Sequence, residues 1–85
     1  MERPPPELDG ARVLRWAISE RGAFQYNGDT AVAAMAICQY AGETEFYLFD
    51  CAADWTVVGD MTYESIDVIQ TRIIWDGEQP VWKEY

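Results

Sequence analysis

The sequence predicts an α+β domain: an antiparallel β-meander of about four strands with one C-terminal-half helix packed on one face. Three observations carry this. Apolar and polar residues alternate loosely through Arg12–Ser19, and Glu45–Phe49 is an aromatic, strand-forming run. Turn-forming clusters separate the extended runs, Asn27-Gly28-Asp29 and Ala41-Gly42-Glu43-Thr44 among them. Tyr63, Ile66, Ile69 and Ile73 recur at the spacing of one helix face.

Taken in order, residues 1–10 read as a flexible Pro-rich tail. Pro4, Pro5 and Pro6 favour an extended conformation and donate no backbone hydrogen bonds, and a proline-rich ligand for a partner is the alternative. Residues 11–85 read as a single compact domain, because 85 residues suffice for one core and no internal repeat is present. In the first strand Leu14, Trp16 and Ile18 face one way and Val13, Arg15 and Ala17 the other. Glu20-Arg21-Gly22 makes a turn, and Ala23–Tyr26 is a short second strand. Thr30–Tyr40 has two readings. Asp29 or Thr30 would cap a helix that the alanines favour and Gly42 ends. A tight turn leading into Glu45–Phe49 favours a hairpin instead, and strand is the preferred reading. Trp55–Gly59 continues the meander after a turn at Cys51–Asp54. Asp60 or Thr62 then caps the helix, with Glu64 in its first turn. Ile73 and Ile74 weaken its last turn and Asp76-Gly77 end it, leaving Pro80–Tyr85 as a short extended or edge segment.

A hairpin turning at Gly42-Glu43 sets Cys38 opposite Tyr47 and Ala34 opposite Cys51. One face then carries Ala33, Met35, Ile37, Phe46 and Leu48, joined by Val57, and the helix stripe covers it. The other face carries Ala34, Ala36, Cys38, Tyr40, Tyr47, Phe49 and Val58, and it too is largely apolar. Two apolar faces need two covers. Either Trp16 and Phe24 fold over the second face, or Tyr40, Tyr47, Phe49, Cys38 and Val58 form an interface for self-association or a partner. In this register Cys51 lies roughly 13 Å along the strand from the position opposite Cys38. A disulfide needs Cα atoms within about 7 Å, so both cysteines read as buried, reduced hydrophobes.

Composition excludes several classes of function. Six Lys and Arg against 15 Asp and Glu give a formal charge of -9, which opposes binding to nucleic-acid phosphates or an anionic membrane surface. No apolar run approaches the roughly 20 residues of a membrane span. With no signal-like segment at Met1–Gly10 and two cysteines, the expectation is a cytoplasmic protein. Histidine is absent, which removes imidazole acid–base chemistry and Cys-His or Ser-His pairs. Asp50, Asp54 and Asp60 cluster around one turn and the next strand end. They could act as an acid–base pair or hold a hard cation, but turn ends are where structural aspartates belong. No catalytic residue, metal or cofactor is assigned, and the chain is read as a non-enzyme.

Phe46-Tyr47-Leu48-Phe49, followed by Cys51, Trp55, Val57, Asp60, Tyr63 and Ser65, resembles a pattern in short uncharacterised bacterial proteins. The resemblance covers about residues 45–70 and implies a compact α+β unit whose strands precede its helix. It implies no activity and transfers no functional residue.

Two functions follow as expectations. The first is a small acidic interaction protein that forms a dimer or neutralises a basic protein partner, in the manner of an immunity protein or antitoxin. The second is a binder of cationic or aromatic small molecules. It would use Trp55 and Trp82 as walls and Asp50 and Asp54 as counter-charges.

Overall fold

Leu8-Asp9-Gly10-Ala11 opens the fold with a tight hairpin. Asp9 and Gly10 sit at φ 49° and 83°, the left-handed pair that a two-residue turn between twisted strands demands. It joins β1 (Glu7–Leu8) to β2 (Ala11–Ile18). Next come β3 (Phe24–Tyr26), β4 (Thr30–Val32), β5 (Ala34–Gln39), β6 (Phe46–Cys51), β7 (Val57–Tyr63), α1 (Ile66–Arg72) and β8 (Lys83–Glu84). The computed structural model describes every residue except 21, 27–29, 75, 76 and 78, and leaves the side chains of 24–26 and 30 undescribed. The expected turn at Asn27-Gly28-Asp29 and the side chain of Phe24 therefore lie outside the described residues.

The main sheet is antiparallel and curled, in the order β1-β2-β5-β6-β7, with β8 also paired to β2. β3 and β4 form a separate two-stranded ribbon between β2 and β5. The expected α+β class holds, but the strands outnumber the four expected. Two short ones, β1 and β8, add to the edge of β2, the first through residues read as a tail. Pro4 and Leu8 are buried, and Val13 N–H donates to Pro6 C=O at 2.9 Å. Thr30–Tyr40 holds strands and no helix, as preferred, but it breaks at Ala33 into β4, which pairs with β3, and β5. The β5–β6 hairpin register is the one expected, Cys38 opposite Tyr47 and Ala34 opposite Cys51. Gly42, at φ 82°, supplies the left-handed residue of its turn.

The helix is shorter than expected, because β7 runs on to Tyr63 to stay paired with Phe46. Ser65, not Asp60 or Thr62, is the N-cap, its hydroxyl accepting from Val68 N–H at 3.1 Å. Ile73 is already extended at the C-cap, as its β-branched side chain favours. Seven residues make a helix that is marginal alone. Packing holds it: Ile66, Ile69 and Ile73 meet Met35, Ile37, Leu48, Phe46 and Tyr63 on the first face. No helix among the described residues is long and apolar enough to cross a membrane.

The second face is covered from within the chain. Alanines 34 and 36 and Cys38 form a small-residue floor, and Val13, Trp16, Phe49 and Trp55 close over it together with Leu8 and Ala11. Small residues on the central strand and large ones to either side let the sheet curl onto itself. Irregular pairing in β2, between Val13 and Arg15, and in β7, opposite Asp50 and Cys51, adds local twist. The β7 bulge also turns Val57 toward this face, rather than the helix-covered face expected for it.

Candidate functional site

The residues expected to form an interface separate into two groups. Cys38 and Phe49 are buried, Phe49 at 2% exposure, so neither offers surface to a partner. They are corrections to the sequence reading, made by the N-terminal residues and the curl. Tyr40 and Tyr47 are half-buried at the rim, edge-to-face with centroids 5.0 Å apart. Tyr40 donates to Asp9 C=O at 3.1 Å, and Tyr47 donates to the Glu43 carboxylate at 3.1 Å. That last bond holds the Tyr47 proton and raises its pKa. Val58 is exposed, but as the unpaired bulge residue of β7 it stands apart from the tyrosines.

Trp55 and Trp82 do not form a cage. Trp55 packs into the curled face and donates from Nε1 to Glu2 C=O at 2.9 Å. Trp82 packs against the helix-covered face, its buried Nε1 without a partner among the described residues. The sheet lies between them. Nor do the aspartates converge. Asp54 is exposed and accepts from Thr56 N–H at 3.0 Å, and its bonds to Thr56 lower its pKa. Asp50 lies opposite Met35, on the helix side, whereas Asp60 lies opposite Phe49 and so projects to the other side. Burial pushes the Asp50 carboxyl up to about 6. Among the described residues no group of three His, Cys, Asp or Glu side chains could hold a metal.

The thiols are inert by environment. Burial first, then the neighbouring Cys51 and Asp9, raises Cys38 to about 12; burial, then Asp50 and Asp9, raises Cys51 to about 12. Both are free.

Among the described residues, two depressions open to the surface. An open groove of about 440 Å³ runs between the end of β7 and the helix, lined by Met61, Thr62, Tyr63, Glu64, Val68 and Arg72. Met61 is 58% exposed within it, one of several large apolar side chains at the surface, Ile74 and Val81 among them. The sequence reading placed these positions in the start and body of the helix, with Asp60 or Thr62 as its cap, and missed the groove. The signal was present in Gly59-Asp60-Met61-Thr62, where one large apolar residue stands among polar ones. A second depression of about 310 Å³ lies by the first hairpin, among Glu7, Arg12, Gln39, Tyr40 and Glu43.

Charge is distributed unevenly along the chain. From Gly22 to Thr71 the chain has no Lys or Arg, and it carries Asp29, Glu43, Glu45, Asp50, Asp54, Asp60, Glu64 and Asp67. Arg12, Arg15 and Lys83 lie on β2 and β8 toward the other edge of the sheet, with Arg3 over the Tyr85 ring nearby, although Arg15 reaches Gln70 of α1 and Arg72 lines the groove. Comparison with protein-family models, with curated proteins and with solved structures finds no match for this chain.

Proposed function

We propose that this protein is a non-enzymatic interaction module whose partner is a basic protein, which it binds and neutralises through the β6-β7-α1 surface. One observation carries the reading: residues 22–71 hold eight Asp and Glu and no Lys or Arg, and they supply β6, β7 and all of α1 but its last residue, Arg72. Such a field speeds encounter with a positively charged partner and repels other copies of the chain. Exposed Met61 and Val58 supply apolar contact within it. Self-association through the second sheet face loses its support because that face is buried. Two free, buried thiols suit a reducing, cytoplasmic setting.

The test is affinity capture from extract at 0.1 and 0.5 M salt, quantified by mass spectrometry, with wild type beside a triple variant Asp60→Lys, Glu64→Lys, Asp67→Lys. The expected result is enrichment of proteins of net positive charge by wild type at low salt. High salt and the triple variant both abolish it. A bound set with no basic bias, or one the variant retains unchanged, would overturn the reading.

A further inference from the structure

One side of β7 is paired with β6 and the other meets no strand among the described residues, so it presents a row of free backbone N–H and C=O groups. Protection of that edge is thin. β7 contains no Lys, Arg or Pro, and its bulge lies toward its start, leaving Gly59–Tyr63 in regular register. The groove beside Met61 adjoins this regular run. Glu64 lines the groove and Asp60 projects from the opposite face of the same strand, both exposed.

We infer that β7 is the acceptor edge for an extended segment of the basic partner, which adds a strand to the sheet, sets apolar side chains in the groove beside Met61 and brings its cations to Asp60 and Glu64. The inference rests on the basic-partner reading and specifies its docking mode. Main-chain hydrogen bonds supply affinity in strand addition, and alternate side chains supply selectivity. Charge selects this occupant over a second copy of the chain. Pairing two β7 edges would bring together two sets of Asp60, Glu64 and Asp67, with Arg72 in the groove and Arg15 on Gln70 as the cations on that side among the described residues.

The probe is an eight-residue peptide of alternating Val and Lys, with two analogues N-methylated at every Val or at every Lys. Each methylation pattern blocks one edge of the peptide. Binding is read by fluorescence anisotropy, and docking by amide hydrogen exchange at residues 57–63. The parent peptide is expected to bind and slow exchange in this segment. The two analogues should differ in affinity by at least tenfold, and the exposed double variant Asp60→Lys, Glu64→Lys should bind the parent at least tenfold more weakly. Equal binding of all three peptides without protection at 57–63 would overturn strand addition and leave the basic-partner reading standing. Failure of every peptide to bind at low salt would overturn both. A doubled solution mass, with 57–63 protected before any peptide is added, would assign the edge to a second copy and overturn the inference.

Discussion

The outer edge of β2 and the outer edge of β7 bound the same sheet, yet the chain treats them differently. Along β2, β1 pairs with Arg12 and Ala11, and β8 with Arg15 and Trp16. Tyr85 completes that side. Its N–H donates to Leu14 C=O at 3.1 Å, its hydroxyl donates to Pro4 C=O at 2.9 Å, and its ring meets Trp16 edge-on at 5.5 Å. Cations collect there, and Arg15 reaches both Gln70 of the helix and Glu84 of β8. Along β7 nothing comparable is present among the described residues, and the side chains are acidic or uncharged. An uncovered edge invites pairing with other copies. In a chain of net charge -9, an edge flanked by Asp60, Glu64 and Asp67 discourages copies of itself while remaining open to an opposite charge.

If the covered edge belongs to the core, the largest stability losses fall there. Trp16→Ala removes a buried ring that packs in the curled face and meets Tyr85, and the expected cost is about 3–5 kcal/mol in urea unfolding. A cost below about 1 kcal/mol would show that the curled face is not closed by β2. Leu8→Ala, at a strand of only two residues, should cost about 2–3 kcal/mol. The same variant sharpens the comparison through the thiols. With both held near 12, wild-type Cys38 and Cys51 should react with a thiol reagent at pH 8 only through opening of the fold. Leu8→Ala should speed that labelling, and unchanged labelling would mean that residues 1–8 do not seal the curled face.

Much of this contrast was legible in the sequence, and the part that was not has physical causes. The β5–β6 register followed from alternation plus one turn, because a one-residue slip would have reversed every side chain from Ala34 to Cys38. The stripe of Ile66, Ile69 and Ile73 was legible as a helix face, but its start was not. Tyr63 satisfies a strand and a helix pattern equally, and pairing with Phe46 decided between them. The docking of residues 1–8 was hidden by Pro4-Pro5-Pro6, although Asp9-Gly10 between Leu8 and Ala11 is a hairpin signal in plain view. Val57 went to the wrong face because a bulge is a tertiary event that alternation cannot announce. The expected interface followed the same pattern. Cys38, Tyr40, Tyr47 and Phe49 do share a face, without the bulged Val58, but no residue type in that stretch reveals that the chain's own curl buries Cys38 and Phe49.

One strand in from the open edge, Asp50 offers a pH-dependent contrast. It lies opposite Gly59, which has no side chain to shield it. Its folded-state pKa is about 6, against roughly 3.9 in an unfolded chain. Between those values the native state holds more protons than the unfolded state, so stability falls as pH rises. The contribution is full below about pH 4 and lost once pH has passed through about 6. Asp50→Asn should remove this slope and, after discounting for partial exposure, stabilise the protein at pH 7.5 by on the order of 1–2 kcal/mol. Parallel pH profiles for wild type and variant would show that Asp50 is solvated, and the β7 side would then hold no stored charge.

The smallest effects on stability belong to the open edge itself, and their smallness is the informative part. Met61→Ala and Val58→Ala each remove an exposed apolar side chain, and both should leave the urea midpoint within about 0.5 kcal/mol of wild type. The same variants sharpen the question of what the edge is for. A Met61 kept exposed for contact should leave folding unmoved on truncation while weakening attachment of a basic extended peptide. A Met61 that belongs to the helix-side core should cost stability and leave peptide binding as it was. Measuring both quantities on the one variant separates these cases, because α1 and the groove share that side of β7. A destabilisation of 2 kcal/mol or more would mean that the edge is folded core, and the distinction between the two edges would vanish.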